Sequence, residues 1–537
     1  MKIPWPMYLA WKHLFPSDKK VSFFSLLAIV GVALGVNVMI VVIAFMQGFQ
    51  EKFRADIIDA QGHARVAPIH PNAQLQDIKA ILTGKKEIEG LSSYVQGQLL
   101  VQNRDYTSIP HAIGIEPETS LDVLPINDFL RQGHSIMHSH DAIDMTPVPN
   151  LSDLDDGVVF VSLEVANRLG VRPPAILRTL APGEIDEPAG KISKIGVKKL
   201  DPFVSTADWE IEVIGSNRLL ISSDDSAFET VRKVSDGIID LGFGRPVFEV
   251  IKGDKPLQTG KVFRFQCFKG SSIEVYSPSM ITRAKSDELS PPVEVKVGGI
   301  IEVPWQGFHS EILFSTQRFM QDIQGRGEVL DGYYLKVNSQ IAGDEFLLGS
   351  FCEETEALFS DNWIVVPWFV ENAWFFELLR FEEYLMILIM IPIGLVAAFA
   401  IAIALMTSVL RKIKEIGLLV AMGGGQLSVG FIFCFQGLII GFLGSLLGCG
   451  LALLFIRFRD QMMDFIVEKM VGKEGQAGVT QFYDFYNLKV AYPWESSTSM
   501  MNFISFAAFA IIVSTIAGLL PAWRAARLNP ADALRSE

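Results

Sequence analysis

The stretch VSFFSLLAIVGVALGVNVMIVVIAFMQ, Val21 to Gln47, runs 27 residues without Asp, Glu, Lys, Arg or His. An α-helix rises about 1.5 Å per residue, so about 20 apolar residues cross the hydrocarbon core of a bilayer. The stretch exceeds the apolar region of a cleavable signal, about 7 to 15 residues, and no small-residue cleavage site follows it. It therefore reads as a retained transmembrane helix. Three further runs are equally free of ionisable side chains: Tyr384 to Leu410, Val429 to Ile456 and Asn502 to Trp523. The fold class that follows is a polytopic α-helical membrane protein with four transmembrane helices and a large α+β extracytoplasmic domain between helices 1 and 2.

The rest of the composition fits this division. The chain has 537 residues, half of them hydrophobic, with 60 acidic and 46 basic side chains and a net charge of −14, and its mean hydropathy is +0.31. So acidic a balance argues against nucleic acid as a partner. Basic residues flank the spans on one side: Lys2, Lys12, Lys19 and Lys20 before the first, Arg411, Lys412 and Lys414 after the second, Arg524, Arg527 and Arg535 after the fourth. By the positive-inside rule that side is cytoplasmic, although Arg457 and Arg459 after the third span pull mildly the other way. Between Glu51 and Phe375 stand 47 acidic and 30 basic residues, a net of −17 that leaves +3 for the remainder.

The order along the chain is then an interfacial N-terminal segment (1–20), the first span (21–49), an extracytoplasmic domain (50–380), the second span (384–410), a cytoplasmic loop (411–428), the third span (429–456), an outer loop (457–501), the fourth span (502–523) and a cytoplasmic tail (524–537). Within the large domain, alternating apolar residues predict strands at Trp209 to Gly215, Val293 to Ile301 and Tyr333 to Val337, and helical spacing marks Leu163 to Leu169 and Ser315 to Ile323. Pro and Gly cluster in Pro173 to Gly190 and Ser286 to Pro292, the edges expected of an inserted subdomain over about residues 175–292. A domain of this size is large enough for two cores.

Few residues carry chemistry. A phosphate-binding loop needs Gly-Lys followed by Ser or Thr. The four Gly-Lys pairs, Gly84-Lys85, Gly190-Lys191, Gly260-Lys261 and Gly472-Lys473, are followed by Lys, Ile, Val and Glu. No nucleotide site is encoded, so an energy source would sit on another chain. His134, His138, His140 and Asp141 form the one histidine cluster, and without a H-E-x-x-H glutamate it reads as a solvated loop and not a metal site. No metal or cofactor is expected. None of Cys267, Cys352, Cys434 and Cys449 has C-x-x-C spacing; the compartment would allow a disulfide between Cys267 and Cys352, the alternative being two buried thiols. Gly437, Gly441, Gly444 and Gly448 recur at spacings of 4, 3 and 4 and clear one helical stripe for close packing, as Gly31 and Gly35 do in the first span. With no ionisable residue at mid-membrane, ion-driven transport is not expected.

Arg411 to Gly425, RKIKEIGLLVAMGGG, is a short amphipathic helix, basic at its start and ended by three glycines. It reads as a loop helix on the headgroups or as a rod that docks into a cytoplasmic partner. Here the sequence resembles the permease subunits of lipoprotein-releasing ABC transporters, the Lol type, within the wider family of macrolide-exporter and cell-division permeases. The resemblance rests on Gly31-Val-Ala-Leu-Gly35 running through Phe45-Met-Gln-Gly48-Phe49 to His63, on Trp368-Phe-Val-Glu-Asn372 and Leu378 to Glu383, on Lys414 to Gly423, on Phe435-Gln436-Gly437, and on Pro521-Ala-Trp-Arg-Ala-Ala526 with Pro530 to Arg535.

The resemblance implies a dimer, with an identical or paralogous second permease, bound to cytoplasmic ABC ATPase subunits that hold the ATP. Arg411, Lys412, Lys414, Glu415, Ile416, Gly417, Ala421, Met422 and Gly423 would form the coupling helix. Met46 and Phe49 of the first span, with Tyr384, Ile387 and Pro392 of the second, would line a substrate cavity in contact with membrane lipid. The cargo would be a lipoprotein and its receiver a periplasmic lipoprotein carrier. An efflux permease of the macrolide-exporter type, or a signalling permease that regulates cell-wall hydrolases, shares the four-span plan.

Overall fold

The computed structural model describes residues 5–14, 23–69, 78–131, 142–180, 192–215, 218–225, 228–233, 237–278, 280, 291–303, 311–359, 362–471, 492, 494 and 497–527. The histidine cluster and most of the outer loop and the C-terminal tail lie outside them. The chain forms two compact units, one of Met1–Arg54 with Trp374–Glu537 and one of Ala55–Ala373.

Among the described residues, four helices are long and apolar enough to cross a membrane. They run over Phe23–Gln61, Ala373–Arg411, Gln426–Val471 and Ser497–Ala517. The first three extend well past the uncharged runs read from the sequence, because polar side chains end an apolar run without ending the backbone ladder of a helix. The fourth is interrupted at Gly518, which keeps a right-handed helical backbone and donates to Ser514 while accepting from Ala522, and it continues as Leu519–Ala526. A short N-terminal helix, Trp5–Leu14, completes the unit. Val32, Val36 and Ile40 of the first long helix and Ile439, Ile440 and Ala452 of the third share one apolar core. The apolar windows of those two helices are 44% buried, whereas that of the second is only 12% buried and presents a broad apolar surface.

In the second unit a 12-stranded mixed sheet has the order Trp363–Pro367, Ala64–Pro68, Gly332–Val337, Ile88–Gln98, His111–Ile115, Ile312–Thr316, Val158–Ser162, Val293–Ile301, Ser272–Tyr276, Leu100–Asn103, Tyr106–Ser108, with Leu130–Arg131 beside Val293–Ile301. Two of its pairings are parallel, Val293–Ile301 with Val158–Ser162 and Ile312–Thr316 with His111–Ile115. The helices Leu163–Leu169 and Gln317–Gln324 lie where the sequence places helices. Each opens on a side-chain cap, Ser162 and Thr316, and closes on a left-handed glycine, Gly170 and Gly325.

The inserted region builds a second core. Its six-stranded antiparallel sheet runs Phe228–Lys233, Arg218–Ser223, Ala207–Gly215, Val262–Phe268, Ala175–Thr179, Ala142–Asp144, beside a three-stranded sheet of Lys194–Lys199, Val247–Ile251 and Ile238–Ile239. Trp209, Phe248, Phe263, Phe265 and Cys267 fill it. The boundaries differ from residues 175–292 at both ends: Ala142–Asp144 pairs into the inserted sheet, and Ser272–Tyr276 returns to the main one. Strand pairing across long sequence separations decides this, and local composition does not report it.

Of the two readings left open for Cys267 and Cys352, the structure has the buried thiols. Cys267 and Cys352 are both free and buried, the first in the core of the insertion and the second on the helix Glu345–Glu356. Burial pushes each thiol up to about 12, so neither is a ready thiolate for exchange.

Candidate functional site

Two constellations are candidates, one in each unit. In the helical unit, Ile413–Ala421 forms the short helix expected between the second and third long helices. Its end is built by glycine: Gly423, at φ +96°, donates to the Val420 carbonyl, and Gly424 to that of Leu419 at 3.0 Å. A Cβ on Gly424 would meet the Leu419 oxygen at 2.7 Å. Ile416 and Gly417 face inward, where Ile416 joins Val429, Ile432 and Phe433. Arg411, Lys414, Glu415, Leu418, Ala421 and Met422 are exposed at spacings of three and four, which places them on one face. Leu418 is 54% and Met422 72% exposed, an apolar centre flanked by charge. Lys412 Nζ lies 3.2 Å from Glu415 Oε2 and steadies the first turn. The expectation for Ile416 and Gly417 is therefore revised from partner contact to seating of the helix, and Gly423 shapes its end.

The glycine stripe of the third long helix packs as its spacing implies. A Cβ at Gly437 would lie 2.6 Å from the Ser514 carbonyl oxygen and one at Gly441 2.8 Å from Ser514 Cβ, so the first two face the fourth helix. At Gly444 it would reach Val32 Cβ at 2.6 Å and at Gly448 the Ala33 oxygen at 2.7 Å, so the next two face the first helix. Gly31 and Gly35 do not pack within the chain, since nothing lies within 4 Å of a Cβ at either; of packing within or between subunits, only the second is left for them. The five cavity residues are not gathered into one enclosure within a single chain. Met46 is buried, Phe49 stacks edge-on to Phe53 at 4.4 Å, and Tyr384, Ile387 and Pro392 lie on the exposed surface of the second long helix.

In the outer unit, three residues of the quoted motifs meet although some 300 positions separate them. The first long helix ends at Gly62, whose left-handed backbone (φ +73°) turns the chain into the strand Ala64–Pro68. That strand pairs antiparallel with Trp363–Pro367, register Ala64 to Pro367, just ahead of the second long helix. His63 donates its backbone N–H to Leu335 and accepts from Trp368 on its carbonyl at 3.1 Å, while its Nδ1 accepts from the Val337 N–H at 3.1 Å. Asn372 donates through Nδ2 to Gln61 Oε1 at 3.3 Å and to the Trp368 carbonyl at 2.8 Å. Beside this knot Arg65 Nη2 meets Glu371 Oε1 at 2.6 Å, next to the stacked rings of Tyr94 and Tyr334.

Burial, then the Lys336 charge, holds His63 below its ordinary range, so the ring is neutral and its Nδ1 is free to accept. Burial also raises Glu371, against the pull of Arg65. The sequence reading missed Arg65, Tyr94 and Tyr334. A charged residue two positions past His63, in a strand of otherwise apolar residues, was the available signal. The arrangement ties the end of the first long helix to the segment that leads into the second. Among the described residues, no group of three or more His, Cys, Asp or Glu side chains is placed to hold a metal ion.

Known proteins resemble the chain in both units. Residues 25–215 match the MacB-like periplasmic core domain, and residues 387–530 the FtsX-like permease C-terminal family. The lipoprotein-releasing system transmembrane protein LolE of Haemophilus influenzae is 21% identical over 542 residues, 99% of each chain. LolC of Neisseria meningitidis is 20% identical over 96% of this chain and 95% of its own. The chain is similar over nearly its whole length to Lol-type permeases. A further LolC, from Haemophilus influenzae, reaches 32% identity over 173 residues, 32% of this chain and 39% of that protein. These Lol relatives support the role of an ABC-transporter permease subunit, and the apolar helices mark it as a membrane protein. The similarity thus runs from one end of the chain to the other.

Proposed function

We propose that the chain is the non-catalytic membrane subunit of an ATP-driven complex that lifts lipoproteins from the outer leaflet of a Gram-negative-type inner membrane and passes them to a periplasmic carrier. The observation that carries this reading is the end-to-end alignment with lipoprotein-releasing relatives of both named kinds. Both termini and the helix Ile413–Ala421 lie in the cytoplasm, where the exposed face centred on Leu418 and Met422 docks into an ATPase subunit that binds the nucleotide. A second permease, identical or paralogous, covers the exposed second long helix, and the cargo's acyl chains pass between Met46 and Phe49 on one side and Tyr384, Ile387 and Pro392 on the other.

Energetics explain why such a chain requires a motor. Burial of acyl chain is worth about 0.8 kcal/mol per CH₂, so exposing one sixteen-carbon chain costs on the order of 12 kcal/mol. Extraction therefore needs both ATP and an apolar receiver. Proteoliposomes containing this chain, its cognate ATPase and an acylated protein should release that protein to a soluble carrier when ATP is added. ATP hydrolysis without release of acylated protein would refute the cargo assignment.

A further inference from the structure

Two short helices sit on the same apolar cluster as the helix Ile413–Ala421. Trp5–Leu14 turns Ala10, fully buried, and Leu14 inward; Leu519–Ala526 turns Ala522 and Ala525 inward. Ala10, Ala522 and Ala525 share one core with Ile416, Val429 and Phe433, and Val420 packs against it. The outward faces of the two helices are alike. Trp5, Tyr8 and Trp11 are 46%, 58% and 54% exposed, with Lys12 exposed on the same side, and Trp523 is 60% exposed beside exposed Arg524. Small residues inward and amphipathic rings outward suit helix turns at headgroup level, the one a short N-terminal helix and the other the last turns of the fourth span, where Trp and Tyr gain from an apolar body and a polar tip.

We propose that these two helices form a headgroup-binding collar, taking anionic phospholipid between their aromatic and basic side chains and thereby fixing the seat of the helix Ile413–Ala421. The occupant is a bilayer and not a soluble protein because both helices are packed on the ends of bilayer-length apolar helices, and because exposed rings stand with exposed cations on each, Lys12 on the first and Arg524 and Arg527 on the second, with Arg527 over the Trp523 ring at 4.3 Å. The shared core makes the consequence mechanical: Ala10, Ala522 and Ala525 cannot shift without disturbing Ile416.

The test uses the full chain in nanodiscs of phosphatidylcholine alone or with phosphatidylglycerol. Native mass spectrometry reads the lipid retained, and hydrogen exchange reads residues 413–421. Phosphatidylglycerol should be retained in preference by the wild type, and Lys12→Gln and Arg524→Gln should each lower that preference about fivefold. Trp5→Ala with Tyr8→Ala should speed exchange in 413–421, while Trp5→Phe with Tyr8→Phe restores protection. Equal retention of both lipids by wild type and variants, or exchange in 413–421 that ignores the aromatic substitutions, overturns the proposal. Neither readout involves the ATPase or the cargo, so failure of the transport reading leaves it standing.

Discussion

Replacing Gly444 and Gly448 with alanine probes the close contact between the first and third long helices. Ordinary carbon contacts begin near 3.4 Å, but a Cβ at Gly444 would lie 2.6 Å from Val32 Cβ and one at Gly448 2.7 Å from the Ala33 oxygen. The first and third long helices must therefore retreat by about 0.7 Å, enough to forfeit a good part of the dispersion well between them. Overpacking of this kind costs about 1–3 kcal/mol per site, less the roughly 0.5–1 kcal/mol that alanine gains over glycine within a helix. Because one retreat relieves both clashes, the double variant should cost less than the sum of the singles. Alanine at Gly31 and Gly35 is the internal control: with nothing within 4 Å, only the helix-propensity gain remains. Titrating the full chain from mild detergent into a denaturing one should therefore unfold the Gly444 and Gly448 variants early and the Gly31 and Gly35 variants no earlier than wild type. Equal midpoints for the two pairs would refute the assignment of the stripe to contact between the first and third helices.

Glu371→Gln should lower the thermal midpoint of the outer unit, because it strands the guanidinium of Arg65 beside Tyr94 and Tyr334; losing one partner of a largely buried pair costs about 2–4 kcal/mol, and an unchanged midpoint in scanning calorimetry would count against the knot. His63 predicts a pH effect of definite sign. Its folded pKa lies below the ordinary 6.5, so its stabilisation is fully present above that value and is lost as pH falls through the folded pKa, when a proton displaces the Val337 N–H from Nδ1. His63→Asn, which offers an uncharged acceptor, should flatten the melting temperature between about pH 7.5 and about pH 5. On the helix Ile413–Ala421, Leu418→Asp with Met422→Ser should abolish capture of the ATPase while leaving the melting temperature of the chain unchanged, whereas Gly417→Leu should destabilise the chain itself.

What could be read in advance follows the range of the interactions. The spans were legible because the absence of charge over 27 residues is a local fact with one physical meaning, and the strand Val293–Ile301 because its alternation is local too. The stripe at Gly437, Gly441, Gly444 and Gly448 was legible as a surface, but which glycines find a neighbour depends on partners elsewhere in the chain. This is why Gly31 and Gly35, equally well spaced, stand open. His63, Trp368 and Asn372 were visible singly as motif residues, while their meeting depends on the register of Ala64–Pro68 against Trp363–Pro367, which no local pattern encodes. The cysteines stayed undecided for the same reason: compartment and count permit a bond or two buried thiols, and only placement in two separate packing environments separates them.

The knot constrains how any motion of the first two long helices can enter the outer unit. Five residue pairs of the ladder between Ala64–Pro68 and Trp363–Pro367, the hydrogen bonds through His63 and Asn372, and the Arg65–Glu371 pair all join segments that directly continue those helices. Separating the segments would forfeit several backbone hydrogen bonds, each worth about 1 kcal/mol net, and would expose a charge pair as well. Moving them together forfeits nothing. A displacement shared by the two helices is therefore the inexpensive one, and it would act on the edge of the 12-stranded sheet, where Trp363–Pro367 has Ala64–Pro68 as its sheet neighbour. If this is how the outer unit responds, a disulfide engineered across the paired residues Ala67 and Ile364 should leave function intact under oxidising conditions, because it locks only what already moves as one. Loss of function on oxidation, restored by reductant, would mean that the two strands part during the cycle.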